Sequence, residues 1–457
     1  MPPTPEACIR PIKPGALAYR RTLAHYLNLI IPESSNLLEI GCGGGHLLQL
    51  LKCRSKTGID MSEERLAEAR KTCPEAAYFS GDAGSLDSAA KFEVILLSDT
   101  LNHCGDAQAL LEAAARLSLP GARLVTTTHN TLWRPVLSLL STLGFRDPQP
   151  DLNWLSGDDV RNLAELAGWE IIKSEARILV PVQIPFLSGF LNKYIAPFFP
   201  VFCLANILIA RKPEKMAGEP SVSIVIPARN EAGNIAAAIG RIPQLAPDME
   251  YLFIEGHSTD DTWTEIEKVR AAHPGKKIKT ARQTGRGKGD AVRLGFSMAE
   301  GDILMILDAD LTMPPEDLPK FYRALAGGRC EFANGCRLIY PMEEKAMRFL
   351  NLCANKLFGI LFSWLLGQNV KDTLCGTKVL SRKNYEAIAR NRTYFGDFDP
   401  FGDFDLLFGA DKLNLKVRDI PVRYRERTYG ETNIQRFRHG LLLFHMVAFA
   451  ARKLKFV

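Results

Sequence analysis

Asp308-Ala309-Asp310 sets two carboxylates at i and i+2, directly behind the apolar run 303–307. Such a pair presents its oxygens on one side of an extended turn, and hard oxygen ligands suit Mg²⁺ or Mn²⁺. An ion held there can bridge a diphosphate and neutralise the charge that develops as a nucleoside diphosphate departs. Charged turns also follow apolar runs upstream: Pro227-Ala228-Arg229-Asn230-Glu231 after 221–226, and Glu255-Gly256-His257-Ser258 after 251–254. Gly285-Arg286-Gly287-Lys288-Gly289-Asp290 forms a glycine-basic start to a helix after 278–280. Nearer the beginning, Gly41-Cys42-Gly43-Gly44-Gly45-His46 joins the strand-like run 36–40 to a helix. Glycines there let the backbone approach a ligand closely, and a helix N-terminus favours polar or anionic groups. Asp60 ends the next run, 56–60, where a carboxylate suits two ribose hydroxyls. Asp82 follows 77–80, where a carboxylate beside a backbone amide can grip an adenine edge. The nicotinamide fingerprint GxGxxG needs Gly at 46, and His46 stands there instead. His103 and His129 are candidate bases.

The elements that must position these residues alternate short β-rich runs with amphipathic segments in both halves. That alternation predicts two parallel-sheet α/β domains in series. Residues 1–212 form the first, 213–220 a charged linker with Pro and Gly, and 221–457 the second. With 46% hydrophobic and 24% charged residues in 457, the composition is that of an ordinary globular chain, neither disordered nor a disulfide scaffold. The 10 cysteines form no CxxC and no zinc-spaced cluster, so reduced thiols are expected. The start, MPPTPEACIR, lacks the features of a secretory signal, and the expectation is a cytoplasmic, not secreted, protein. The formal charge of +6 sits in residues 421–457, a basic end interleaved with Phe, Leu and Met that suits an anionic partner. The runs 349–366 and 441–451 are too broken or too short to span a bilayer, and either suits the interface plane or burial in the core. The aromatic, Pro-rich stretch 179–202 reads as core packing and a lid, with an acceptor cover or a lipid contact as the alternatives.

Glu39-Ile40-Gly41-Cys42-Gly43-Gly44-Gly45 followed by Gly58-Ile59-Asp60 resembles a class I S-adenosylmethionine-dependent methyltransferase. Leu97-Ser98-Asp99-Thr100-Leu101-Asn102-His103 resembles the segment after that family's fourth strand, and 153–156 with 168–170 its later part. The resemblance covers about 15–212. It implies a Rossmann-like sheet, with S-adenosylmethionine held by Glu39, Gly41 and Gly43 on the methionine side, Asp60 at the ribose and Asp82 at the adenine. Such a site contributes mainly positioning, because the sulfonium supplies the reactivity.

The second half is similar to family 2 glycosyltransferases of the GT-A fold, most of all the dolichyl-phosphate mannose synthase relatives that act on polyprenyl phosphates. This resemblance spans about 221–440. It implies a nucleotide-sugar site of Pro227, Arg229, Glu231, Glu255, Lys288, Asp308, Ala309 and Asp310. Metal would lie on Asp308 and Asp310 with Thr312 beside them. Asn334-Gly335-Cys336-Arg337, Arg348, the stretch 371–378 ending in Lys378, and Arg427 in 427–433 resemble the family's acceptor-phosphate segments. Guanidinium groups suit that task. Asp403 and Asp405 lie near the family's acceptor-site acids, and with Asp308 and Asp310 they make the catalytic set. Three departures stand out: Cys336 for Ser, Asn433 for Lys, and Glu255-Gly256-His257-Ser258 where most relatives carry Asp-Asp-Gly-Ser. The last leaves the nucleotide base open. The chain lacks the QxxRW motif of processive synthases.

Together these resemblances imply a bifunctional enzyme that uses S-adenosylmethionine and Mg²⁺ or Mn²⁺. It would transfer sugar from a nucleotide donor to a polyprenyl phosphate, peripherally at the cytoplasmic face of a membrane. Nucleic acid is not an expected partner. The alternative is transfer to a soluble or protein acceptor, with the methyltransferase-like half as a non-catalytic binding module.

Overall fold

A computed structural model describes residues 13–86, 90–145, 153–340, 349–392, 404–427, 429 and 436–457. The chain forms two compact units. The first is Met1–Pro213 with Lys455–Val457, and the second is Glu214–Leu454. The second domain read from sequence runs to 457, whereas these last three residues belong to the first unit. Val457 packs against that unit's core, and the backbone carbonyl of Lys455 accepts from Arg177.

The first unit is built on seven strands: β1 (Asn36–Ile40), β2 (Ser55–Asp60), β3 (Ala77–Ser80), β4 (Phe92–Ser98), β5 (Ser118–His129), β6 (Glu170–Arg177) and β7 (Ala205–Arg211). They lie in the order β3-β2-β1-β4-β5-β7-β6. Side chains alternate between the two faces. Leu37, Val94, Leu96 and Val125 enter one core, and Leu38, Ile95, Leu97 and Leu124 enter the other. Both faces are covered, which is why β1 and β4 read as nearly unbroken apolar runs.

The second unit repeats the architecture with β8 (Val222–Ala228), β9 (Met249–Glu255), β10 (Lys277–Arg282), β11 (Ile303–Ile306), β12 (Phe332–Cys336), β13 (Lys378–Ser381) and β14 (Val417–Pro421). Their order is β10-β9-β8-β11-β13-β12-β14. The helix Lys288–Met298 lies so close to β8 that a Cβ on Gly295 would collide with Val225. That contact fixes the height of Lys288 at the helix start.

The expectation of two parallel sheets is corrected, because both sheets are mixed. β7 runs antiparallel to β5 and β6, and β13 runs antiparallel to β11 and β12. Alternating elements reveal strand and helix, but the direction of a late strand depends on how its connection crosses the sheet. In each unit the order of the parallel strands reverses at the middle of the sheet, between β1 and β4 and between β8 and β11. A crevice opens at such a switch point, at the carboxyl ends of the strands. Among the described residues, no helix is long and apolar enough to cross a membrane.

Candidate active sites

In the second unit, parallel pairing levels Ala228 of β8 with Glu255 of β9, and Glu255 with Arg282 of β10. The turns after β8, β9 and β11 each hold a non-glycine residue in the left-handed region: Asn230 (φ 56°), His257 (φ 58°) and Leu311 (φ 53°). Such backbone costs of order 1–3 kcal/mol each and tends to gather at functional sites. Here it turns the chain sharply at the switch-point edge.

These turns bring five of the predicted residues into two ion-pair groups. Arg427 donates to Glu231 Oε1 at 2.8 Å and to Asp310 Oδ2 at 2.6 Å. Thr312 donates to Asp310 Oδ1 through its hydroxyl at 2.9 Å and its backbone N–H at 3.1 Å. Lys288 meets Asp308 Oδ1 at 2.7 Å. A Cβ on Gly376 would run into both Asp308 and Lys288, so the backbone at 376 closes directly over that pair. Ala309 is buried and Leu311 donates to the Asp308 carbonyl at 3.2 Å, which keeps the two carboxylates on one short turn. Burial pushes the Glu231 carboxyl up; Asn234 and Arg427 oppose this, and Asp310 adds to it.

The remaining predicted residues divide. Glu255 is buried at the end of β9, accepts from the Ser258 N–H at 2.5 Å and faces Arg282 at 3.8 Å. Pro227 pairs with Ile254 inside β8, and Arg229 follows it, exposed. Arg337 is largely buried and paired within the protein. It forms a fork with Asp372 at 2.7 and 2.9 Å and stacks its guanidinium 5.0 Å from the Tyr424 ring. Burial opposes ionisation of Asp372, yet the Arg337 charge and hydrogen bonds hold the carboxyl below the usual range. Lys378 is fully buried and donates to the Cys375 carbonyl. Arg427 stands between Glu231 and Asp310. Asp405 lies 3.3 Å from Arg392. Arg348 and Asp403 lie outside the described residues.

The chain contributes residues that sequence reading did not place in the site. Gly376 is one, and its signal was a glycine within the quoted stretch 371–378. Tyr429 is another. Its ring fills the space a Cβ on Gly233 would take, and its hydroxyl lies 3.4 Å from Asp260. Asp260 in turn accepts from Thr262 and from the Ala232 N–H, tying the turns after β8 and β9 together.

In the first unit, Gly41, Gly43 and Gly45 after β1 all have positive φ, at 79°, 54° and 72°. Asp60 braces this loop. Its Oδ2 accepts from the Gly43 N–H at 2.9 Å and its Oδ1 from the Ser62 N–H at 3.0 Å. Asp82 accepts from the Ser85 N–H at 2.8 Å in the turn after β3. Glu39 is buried near the end of β1, and among the described residues its Oε2 has no hydrogen-bond partner. Burial raises its carboxyl to about 8; Arg20 opposes this, while Asp60 and Asp99 add to it. Asp99, left-handed at φ 57°, ends β4 opposite the glycine loop. It accepts from Tyr19 at 3.2 Å and from Thr127 at 3.0 Å, and lies 3.7 Å from His129. His129 is therefore drawn into a polar cluster at the switch point. His103 caps the short helix Thr100–Asn102.

Two family models match this chain: one described as a methyltransferase domain, over residues 16–174, and one described as glycosyl transferase family 2, over 223–388. The chain joins a methyltransferase domain to a family 2 glycosyltransferase domain. Each match falls within one of the two units and spans that unit's switch point. The chain is 26% identical over 221 residues to a dolichol-phosphate mannosyltransferase of Pyrococcus furiosus, covering 47% of this chain and 59% of the relative. It is 32% identical over 218 residues to an undecaprenyl-phosphate 4-deoxy-4-formamido-L-arabinose transferase of Aeromonas hydrophila, covering 46% of this chain and 62% of the relative. The chain thus spans less than two thirds of either. Among solved structures it resembles a SAM-dependent methyltransferase of Thermotoga maritima at 18% identity and TM-score 0.34, covering 43% of this chain and 91% of that one.

Proposed function

We propose that the glycosyltransferase domain moves a sugar from a nucleotide donor to a polyprenyl phosphate, and that the methyltransferase domain moves a methyl group from S-adenosylmethionine. One observation carries the first part: the Asp308-Ala309-Asp310 turn is paired with cations from distant segments, Asp308 with Lys288 and Asp310 with Arg427, which also holds Glu231, on turns at the β8/β11 switch point. The named activities of the two curated relatives support the choice of a polyprenyl phosphate.

Among the described residues no three metal-ligating side chains cluster. The donor set still fits a divalent ion, because Asp308, Asp310 and the Thr312 hydroxyl offer hard oxygens and a diphosphate brings more. When bound, such an ion would offset charge on the departing diphosphate. The chain's own groups do the rest. Lys288 and Arg427 now neutralise the two aspartates, and they are placed to pass to phosphate oxygens when a diphosphate enters. Glycine at 376 leaves room for Asp308 and Lys288, since a Cβ there would collide with both. An acceptor phosphate is already ionised, so a strong general base is not required.

In the methyltransferase domain, Asp60 holds the glycine loop and keeps lone pairs for ribose hydroxyls, since a carboxylate has about four acceptor sites. Glu39 and the loop glycines define the methionine side, with Asp82 at the adenine.

Two measurements test the reading. Purified Asp310→Ala protein, given membranes, Mn²⁺ and labelled sugar nucleotides, is expected to place no label in the lipid fraction; wild-type transfer by that variant defeats the assignment. Calorimetry with S-adenosylmethionine is expected to show binding that Asp60→Ala loses, and no binding by wild type leaves a non-catalytic module.

A second reading has a specific observation in its favour. Arg337 and Lys378 are engaged inside the protein, as structural residues would be, which favours an acceptor other than a lipid phosphate. Transfer to a soluble acceptor, indifferent to Arg348→Ala, would establish it.

A further inference from the structure

The methyltransferase unit carries an apolar surface that neither site uses. Between Val182 and Phe202 the chain makes short turns of helix, Leu187–Phe190, Leu191–Ile195, Ala196–Phe198 and Pro200–Phe202. Core packing accounts for only one side of them, with Tyr194 and Phe198 also meeting the Phe456 ring at 5.7 and 5.9 Å. Phe186 is 97% exposed, Phe198 58%, Phe202 59% and Val201 61%. Phe186 is also held at φ 62°, a backbone region that bulky residues avoid.

The segment is anchored from beneath. Asn192 is buried and bonds both the N–H and the carbonyl of Val180, at 2.8 and 2.9 Å, while Ala196 and Cys203 are buried. The rings are therefore displayed by a built scaffold. A second apolar face adjoins it. Trp133 Nε1 donates to the Phe202 carbonyl at 2.9 Å, and Asn130 donates to the Val201 carbonyl at 2.7 Å. The helix that follows, Arg134–Thr142, exposes Val136 and Leu139, with Leu143 and Phe145 exposed just beyond it.

Charge indicates what covers this surface. No Asp or Glu occurs in 130–146 or in 176–213, whereas Arg134 and Lys193 lie exposed within the two stretches. Lys193 sits 5.7 Å from the Tyr194 ring, and Lys13 donates to the Gly144 carbonyl at 2.7 Å. Exposed phenyl rings beside cations, in stretches of sequence without Asp or Glu, complement a bilayer interface whose headgroups are anionic. The elements are too short to span a bilayer and suited to lie in its surface.

We propose that this face of the methyltransferase unit, the turns 182–202 with the helix Arg134–Thr142, docks on an anionic lipid surface. The choice of lipid as occupant deepens the polyprenyl-phosphate reading; the docking itself needs neither sugar donor nor S-adenosylmethionine.

The test is co-sedimentation of the full chain with phosphatidylcholine vesicles, with and without phosphatidylglycerol. Wild type is expected to bind the phosphatidylglycerol vesicles, less tightly at high salt. Phe186→Ser with Phe198→Ser should weaken binding by about tenfold or more, since two exposed rings lose their burial. Lys193→Glu should weaken binding to phosphatidylglycerol vesicles only, and it keeps the test decisive if the double variant fails to fold. Asp310→Ala should bind vesicles as wild type does even where sugar transfer is lost, which separates this inference from the assignment of the transfer site. Vesicle binding unchanged by both surface variants overturns the proposal. So does gel filtration in which the Phe variant splits a dimer while vesicle binding persists, because the face would then join two copies.

Discussion

Arg427 joins two carboxylates that come from different turns, Glu231 after β8 and Asp310 after β11. Replacing it with methionine removes the cation and leaves those acids facing one another. We expect Arg427→Met to cut sugar transfer by about a hundredfold or more, as loss of a preorganised charge partner does, read as initial rates of lipid labelling. Glu39 gives a different test. Its carboxyl is raised to about 8 by burial, against an ordinary value of 4.5. Between those values the folded protein holds a proton that the unfolded chain has released. Stability from this group is therefore full at low pH and is lost as pH rises toward 8. Glu39→Gln mimics the protonated form. Its melting temperature relative to wild type should climb steadily with pH across that window, and a constant difference would show that Glu39 is ionised throughout.

At the scale of elements, each site exists because strand ends are levelled by register and then bent sharply. Asn230, His257 and Leu311 do the bending in the glycosyltransferase unit, while Gly41, Gly43, Gly45 and Asp99 do it in the methyltransferase unit. β12 is held to the segment before β13 by the Arg337–Asp372 fork, in which Asp372 is fully buried. Truncating one partner of such a pair leaves a buried charge uncompensated. Arg337→Ala should accordingly destabilise the glycosyltransferase unit by about 3–5 kcal/mol, measured as a lowered urea midpoint. A change of activity without loss of stability would instead return Arg337 to the acceptor phosphate.

At the scale of the whole molecule, each unit has its own sheet, its own apolar cores and its own switch point. Asp60→Asn should abolish S-adenosylmethionine binding while sugar transfer continues, checked by calorimetry and lipid labelling on the same preparation. Much of this organisation was legible in the sequence. Apolar runs marked β1, β4, β8 and β9, because strands buried on both faces need continuous hydrophobicity. The glycine loop and Asp308-Ala309-Asp310 were visible because turn chemistry is local. The strand directions that make both sheets mixed were not visible, since they depend on crossovers that no local pattern records. Nor were the partners of the charges. Residue type announced that Arg337, Lys378 and Arg427 are cations, but the tertiary structure alone placed the first on Asp372, buried the second and set the third between Glu231 and Asp310. The same holds for 179–202, whose composition reads as core packing and a lid, while the structure leaves several of its rings exposed. Local sequence determines backbone preference and the kind of chemistry available. Which groups meet, and which rings are left in water, is decided by contacts between residues far apart in the chain.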